Sequence, residues 1–432
     1  MEFEIIEQTY PEQFRHNLTK ELTQHLEKRD SVVFIGMRRV GISNFLRFFL
    51  YHKKVRSRFT GKFRYLFIPV DLNDLIERTI SSFWVLTLKR ILDCVETSDF
   101  NPKTGKYIEN LFLDGIQSKN NFILVENIKK SLNKIIGEGV YPTIFFLRFD
   151  RISEAASADF FANLEGIQSA TYNKLSFVFT TSRGLNSVSP KVFSHTSLSL
   201  AQSQIFLKPA GETDSKIVCD AYLNRYNLQI PISMESELIK LTGGYIQYLQ
   251  LALISLNEPE VDIKKIKDLS EFLSNDERIK LQSEELLEEL TGGEQRTLLK
   301  VLNHQSLSKD ELKESRYLLD SGFIFSSKGG FRIFSPIFEN FLKSKISKGE
   351  GSNGKIELSK KEHLLFSFLK ENLGEVCERE AIIEAVWPEE EALGVSDWAI
   401  DRLVARLRKK IKEEGEYEIV TIKTRGFKLI KN

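Results

Sequence analysis

The stretch Val32-Val33-Phe34-Ile35-Gly36-Met37-Arg38-Arg39-Val40-Gly41-Ile42-Ser43-Asn44-Phe45-Leu46 decides how most of this 432-residue chain is read. Four consecutive apolar residues suit a strand covered on both faces. Two glycines follow, and then apolar residues at helical spacing. The order is strand, glycine loop, helix. It fits the pattern G-x-x-x-x-G-K-[ST] at every fixed position but one, where Ile42 replaces the lysine. The glycines permit a loop whose N–H groups can cradle phosphate at a helix N-terminus. Ser43 retains the hydroxyl that would face Mg²⁺, but the charge that reaches the outer phosphates is missing.

Outward from this motif, short apolar runs alternate with longer helical patterns. They are Leu66-Phe67-Ile68-Pro69-Val70, Ile144-Phe145-Phe146-Leu147, Phe177-Val178-Phe179-Thr180 and Ile205-Phe206-Leu207. Such runs predict an α/β domain with a parallel sheet built from right-handed crossovers. The second half of a nucleotide-hydrolysing site is a hydrophobic strand that ends in acids. Here Leu147 and Arg148 stand where the metal-organising aspartate and the catalytic glutamate belong, and only Asp150 remains. An arginine at that place repels Mg²⁺ and cannot polarise water. Two independent losses predict that ATP is not hydrolysed and that no cofactor or metal is required. Three readings of the loop stay open: a structural relic, a site that binds ATP or ADP without turnover, and a slow ATPase with substitute residues.

From about residue 212 to 280 the pattern turns helical. Residues 290–345 form a compact unit that closes with Phe323-Ile324-Phe325, a Lys328-Gly329-Gly330 turn and Phe331-Arg332-Ile333-Phe334. Helices followed by such a hairpin read as an internal winged helix. Residues 7–345 together resemble the STAND/AAA+-type P-loop ATPases, which carry a helical lid and a winged helix. The loop Gly36-Met37-Arg38-Arg39-Val40-Gly41 matches their first motif. Phe179-Thr180-Thr181-Ser182-Arg183 resembles the strand end that senses the γ-phosphate. Leu241-Thr242-Gly243-Gly244-Tyr245-Ile246 resembles the lid segment, with Ile246 where proline is usual.

The resemblance implies a P-loop domain over residues 1–210, a helical lid over 211–285 and a winged helix over 286–346. It also implies homo-oligomers formed through the ATPase-like domain. Gly36, Arg38, Arg39, Gly41, Ile42, Ser43 and Asn44 then make a degenerate nucleotide-binding loop, and Leu147, Arg148, Asp150 and Arg183 hold the other ATPase positions. Arg38, Arg39, Arg148 and Arg183 are candidates to restore part of the lost positive charge. The activity itself does not carry over, because the residues that perform it are absent.

Lys348-Gly349-Glu350-Gly351-Ser352-Asn353-Gly354-Lys355 is glycine-rich and polar, which predicts a flexible linker over residues 347–356. The α+β unit beyond it, residues 357–432, opens with a helix marked by Leu364, Leu365, Phe368 and Leu369. A second helix runs from Arg379 to Val386 and stops before Trp387-Pro388. A third opens near Ser396, whose hydroxyl can cap it. Its buried stripe is Ile400, Leu403, Val404, Leu407 and Ile411. Opposite lie Trp398, Arg402, Ala405, Arg406 and Lys409, a mostly cationic face. Arg402 and Arg406, four apart, are placed to reach guanine edges or phosphates in a major groove. The last segment, Glu418-Ile419-Val420-Thr421-Ile422 followed by Lys423-Thr424-Arg425-Gly426-Phe427-Lys428-Leu429, reads as a β-hairpin wing.

This order resembles the OmpR/PhoB-type winged helix of bacterial response regulators. The resemblance rests on Leu358-Ser359-x-x-Glu362, Gly374-Glu375-Val376, Val386-Trp387, Val395-Ser396-Asp397, Arg406-Leu407-Arg408-Lys409-Lys410-Ile411 and Thr421-Ile422-Lys423-x-x-Gly426-Phe427. It implies that the third helix lies in the major groove and the wing in the minor groove of double-stranded DNA. The DNA-binding residues expected on that basis are Trp398, Arg402, Arg406, Arg408, Lys409, Lys410, Lys423 and Arg425. Two positions depart from the family, Arg402 for a small apolar residue and Thr424 for the wing glycine, so target sequence does not carry over.

Net charge is only +1, but ten basic residues lie between Arg402 and Lys431, and segregated charge is what a binding face needs. Three cysteines, Cys94, Cys219 and Cys377, have no metal-site or disulfide spacing, which fits a reducing cytoplasm, and the response-regulator resemblance implies one of prokaryotic type. The acidic start reads as no signal peptide, and no membrane partner is expected. The predicted function is a DNA-binding transcriptional regulator. Its inert ATPase-like body serves oligomerisation, effector sensing or partner contact. The alternative is a slow ATPase in signalling or origin recognition.

Overall fold

A computed structural model describes residues 5–57, 64–188, 200, 203–327, 330–349, 358, 360–386, 397–414, 417–422 and 425–431. The chain divides into two compact units, residues 1–345 and 346–432.

In the first unit, strands β1 (Val32–Ile35), β2 (Arg64–Asp71), β3 (Val140–Leu147), β4 (Ser176–Thr181) and β5 (Ser203–Phe206) form one sheet in the order β2-β3-β4-β1-β5. Every pairing is parallel. All residues of β1 and β4 are buried, as unbroken apolar runs require between two helical layers. Strand β2 lies at an edge and alternates, and there Pro69 is tolerated without an N–H.

Successive residues of a strand face opposite sides, so each side of the sheet receives its own aromatic cluster. Phe146, Phe177 and Phe179 pack with Phe83, Phe149 and Phe160 on one side, with several centroids 4.9 Å apart. Phe145 and Phe67 meet Phe49 on the other, where Phe45 stacks on Phe34 at 5.4 Å. Between β2 and β3 the chain makes a helical hairpin, Pro102–Ser118 and Asn121–Gly137, which no motif announced.

The lid follows as helices Glu212–Tyr226, Ile232–Thr242, Ile246–Leu256, Leu269–Asn275 and Glu277–Glu288. Next comes the internal winged helix: Gly292–Leu302, Lys309–Glu314 and Arg316–Asp320, the hairpin β6 (Ile324–Ser327) and β7 (Gly330–Ile333), and the helix Pro336–Gly349. The turn residues Lys328 and Gly329 lie outside the described residues. Its short helix Arg316–Asp320 turns inward: the Tyr317 hydroxyl donates to the Ser182 carbonyl at 2.9 Å, and Leu318 is fully buried.

The second unit has helices Lys360–Glu371, Arg379–Val386 and Asp397–Glu414. Ile400, Leu403, Val404, Leu407 and Ile411 are all buried, as their spacing requires. The wing strands β9 (Tyr417–Ile422) and β10 (Gly426–Lys431) pair antiparallel, and β10 also pairs with a two-residue strand β8 (Cys377–Glu378). That third strand, seeded by Cys377, is an addition to the expected hairpin. Of the flexible linker expected over residues 347–356, residues 347–349 instead end the helix Pro336–Gly349, and residues 350–356 lie outside the described residues.

The lid turn shows why glycine is needed there. Gly244 has φ +76°, and a Cβ on it would run into the Ala210 carbonyl, whose own N–H donates to Gly244 O at 2.8 Å. Gly244→Ala is expected to lower the stability of the first unit by at least about 2 kcal/mol. Denaturant unfolding of the full chain checks this, and a loss under about 0.5 kcal/mol is the ordinary surface-substitution result that contradicts it.

Candidate nucleotide loop and DNA interface

The loop after β1 keeps the expected path. Gly41 adopts φ +113°, the helix Ile42–Tyr51 begins directly after it, and Gly36 N–H reaches the Thr181 carbonyl at 3.3 Å. What covers the loop differs from a phosphate site. A Cβ at Gly36 would lie 2.9 Å from Val40 Cγ1 and 3.3 Å from Ile42 Cδ1, so two apolar side chains close over the first glycine. At Gly41 it would meet Ile246 Cγ1 at 2.9 Å, so the lid residue standing in place of proline rests on the second glycine. The Tyr245 hydroxyl donates to the Arg38 carbonyl at 2.6 Å and accepts from Gln282 at 3.0 Å.

Arg38 and Arg39 do not stand ready for a ligand. The Arg38 guanidinium pairs with Glu289 and lies 3.7 Å from Glu285, and Arg39 lies 3.8 Å from Glu285. Both acids belong to the end of the lid, and both are largely buried. They escaped the sequence reading, because no local spacing links residues 285 and 289 to an arginine pair so distant in the chain. Arg183 is committed as well. Its guanidinium takes Glu294 at 2.6 and 2.7 Å, donates to the Glu289 carbonyl at 2.6 Å and lies over the Tyr317 ring at 3.6 Å.

Leu147 ends β3 and Arg148 follows it. Arg148 turns with φ +56°, donates its N–H to Thr180 Oγ1 at 2.7 Å and ion-pairs with Asp71. Asp150 is used internally: it accepts from the Ser182 N–H at 3.0 Å and from the Ser182 hydroxyl at 3.3 Å. Burial raises its pKa against those bonds. All four candidate replacement cations, Arg38, Arg39, Arg148 and Arg183, therefore have carboxylate partners within the chain.

Asn44, beside Ser43, is buried and donates to Glu7 at 3.1 Å and to the Tyr10 hydroxyl at 2.9 Å, while Arg47 reaches Glu7 at 2.5 Å. Burial pushes the Tyr10 pKa up. Glu7 lies in no motif and was not foreseen.

In the second unit, Glu362 is 1% exposed and carries two cations: Lys410 Nζ at 2.6 Å and Arg406 Nε at 3.9 Å. The expected base-reading role of Arg406 meets this geometry directly. Arg406 lies on the flank of the buried stripe, not at the centre of the opposite face, and is only 14% exposed. Arg408 is also engaged: it donates to the Ile419 carbonyl and to Thr421 Oγ1, both at 2.9 Å, and so ties the helix to the wing. Arg425 is exposed on the wing, 3.9 Å from Glu378. The side chains of Trp398, Arg402 and Lys409, and all of Lys423, lie outside the described residues. Arg379, which the sequence reading left without a role, pairs with Asp401 at 2.6 Å and covers the Phe427 ring.

These two architectures define the class. The first unit is an AAA+-type P-loop ATPase fold with lid and winged helix, and the second is an OmpR/PhoB-type winged helix. Residues 353–429 match the family described as transcriptional regulatory protein, C terminal. The Walker-type ATPase PABY2304 of Pyrococcus abyssi superposes with a TM-score of 0.50 over 78% of this chain and 100% of that one, at 16% identity. The ORC1 protein of Aeropyrum pernix in complex with DNA gives 0.36 over 96% and 88%, at 12% identity. A RuvB variant of Thermotoga maritima gives 0.35 over 74% and 91%, at 13% identity. No curated protein matches the sequence. The chain thus joins a domain of the transcriptional-regulator C-terminal type to a body that shares its fold with a Walker-type ATPase. Among the described residues no helix is long and apolar enough to cross a membrane.

Two predictions follow from this geometry. Removing a buried acid strands its cations, so Glu362→Ala is expected to destabilise the C-terminal unit by about 3 kcal/mol in denaturant unfolding. No change would mean that the pair is solvated. For Glu289, burial, opposed by Arg38 and reinforced by Glu285, raises the carboxyl to about 7 from its ordinary 4.5. A raised folded-state value means that the stability tied to the protonated acid is complete below about pH 4.5 and is lost as pH rises through about 7. Glu289→Gln should therefore melt above wild type near pH 8 and close to it near pH 5, and a gap constant with pH contradicts the assignment.

Proposed function

We propose that the protein is a DNA-binding transcriptional regulator whose ATPase-like body does not turn over ATP. The observation that carries the reading is the state of the loop. Ile42 and Val40 close over Gly36, and Arg38 and Arg39 face lid carboxylates where a nucleotide's phosphates would need them. Mg²⁺-ATP does not fit the residues present. The lysine position is apolar, and the two acid positions are Leu147 and an arginine already paired with Asp71. In this reading the body needs no cofactor. ATP or ADP enters only as a binding ligand that displaces Glu285 and Glu289, without hydrolysis. The body then serves oligomerisation, effector sensing or contact with a partner, and repeated tails on an assembly would gain avidity for double-stranded DNA. Arg402, Lys409, Lys423 and Arg425, with Trp398, are the residues proposed to face DNA. Arg406, Arg408 and Lys410 hold the helix and wing in place. A prokaryotic cytoplasm, with the protein on the nucleoid, is the proposed location.

Phosphate release by pure protein with Mg²⁺-ATP, with and without duplex DNA, is expected to stay at the buffer rate. Turnover that Ser43→Ala abolishes would contradict the inert body. In parallel, Arg402→Glu should weaken duplex binding at least about tenfold at low salt and flatten the salt dependence. Unchanged affinity removes the third helix from the interface.

A further inference from the structure

A cavity opens at the far end of the helix Ile42–Tyr51, where Tyr10, Pro11 and Glu12 of the N-terminal segment meet His52, Lys53 and Lys54. Its volume is about 360 Å³, at the small end of the range for ligand-binding clefts. The helix, ten residues long, separates it from the glycine loop by about 15 Å at 1.5 Å per residue. No residue of that loop lines it, so it is no part of the degenerate nucleotide site.

The floor is aromatic and fixed. Phe48, one turn before His52, packs on two of the lining rings, with centroids 4.9 Å from His52 and 6.4 Å from Tyr10. Tyr10 is buried and its hydroxyl is committed to Asn44, so the wall it gives the cavity is its ring. His52 supplies the polar centre. Its imidazole is only 8% exposed, and Nδ1 accepts the Val55 N–H at 3.4 Å, which caps the short helix Lys53–Ser57. A ring nitrogen that accepts carries no hydrogen, so Nε2 holds the N–H of the ring. Nε2 has no hydrogen-bond partner among the described residues and is not sealed from solvent, so its opening is the cavity that His52 lines. The rim adds charge of one sense. Two lysines stand there against one carboxylate: Lys54 pairs with Glu12 at 3.0 Å, and Lys53 has no ion pair among the described residues. A buried N–H beside an unneutralised ammonium calls for an anionic acceptor, and ring walls call for a flat apolar body attached to it.

We propose that this cavity binds a small organic carboxylate with an aromatic body. The His52 Nε2–H and the Lys53 ammonium take the two carboxylate oxygens, and Tyr10 and Pro11 take the ring. The site gives the body an effector of stated chemistry. It stands on the cavity alone, whether or not ATP is turned over and whether or not the tail binds DNA.

The test titrates phenylacetate into the full chain and follows the ligand by NMR. Wild type should bind with a dissociation constant on the order of 1 mM. His52→Phe keeps a ring on Phe48 but has no donor, and should weaken binding about tenfold, the worth of one hydrogen bond to a charged group. Lys53→Gln lies on the exposed rim, where a folding defect is not expected, and should weaken binding about threefold. Phenylacetamide, the same body without the charge, should bind wild type at least about tenfold more weakly than phenylacetate. No saturable phenylacetate signal below about 20 mM overturns the site. Equal affinity for acid and amide overturns the recognition of an anion. Unchanged affinity in both variants places the ligand elsewhere and overturns the assignment to this cavity. Phenyl phosphate bound at least about tenfold more tightly than phenylacetate overturns the carboxylate and gives the cavity to a phosphorylated ligand.

Discussion

The body of this protein is organised by one contact: two lid carboxylates, Glu285 and Glu289, brought onto Arg38 and Arg39 of the glycine loop. A phosphate-binding loop folds around anions because its backbone N–H groups converge at a helix N-terminus. Here the chain supplies the anions itself. Acids this deeply buried are costly unless cations meet them, and stranding either partner costs more than the pair contributes. The same contact explains the fit around it. Ile246 rests on Gly41, Tyr245 donates into the loop carbonyl of Arg38, and Arg183 bridges the end of the lid to the following winged helix through Glu289 and Glu294. Loop, lid and internal winged helix are joined through these side chains.

The C-terminal unit uses a comparable device at smaller scale. Glu362, buried on the first helix, collects Arg406 and Lys410 from the third. Arg408 pins the wing strand β9 to that helix through Ile419 and Thr421. Within the basic run 406–410, Arg406, Arg408 and Lys410 thus hold the third helix to the first helix and to the wing. Preorganising helix and wing lowers the ordering cost of binding a groove.

What could be read from the sequence was whatever is local and periodic. Unbroken apolar runs placed β1, β3 and β4, because a strand buried on both faces has no polar alternation to dilute the signal, and shorter apolar runs marked the partly exposed edge strands β2 and β5. The stripe Ile400, Leu403, Val404, Leu407 and Ile411 was legible for the same reason at helical period. The Ile42 substitution stood out because the rest of its motif was intact. Hidden from that reading were contacts between residues far apart in the chain: Glu7 with Asn44 and Arg47, Glu289 with Arg38, and Glu362 with Arg406. No spacing rule encodes them, since each depends on which faces the fold brings together. Arg406 illustrates the cost of reading a helix face without its neighbours. Its position looked outward on the wheel, yet the flank it occupies is covered by another helix. The two-residue strand β8 was missed because a strand that short has no period to detect.

The central claim is that the loop is held shut by the chain's own lid. Hydrogen exchange of the loop amides 36–42 and of the lid helix Glu277–Glu288, in protein without nucleotide, tests it most directly. Local openings are resolved by this method as cooperative units. The account predicts that loop and lid are protected together in the absence of nucleotide and that Arg38→Gln/Arg39→Gln, which strands both carboxylates, lowers the protection of both. Loop amides that exchange freely while the lid helix stays protected would contradict it.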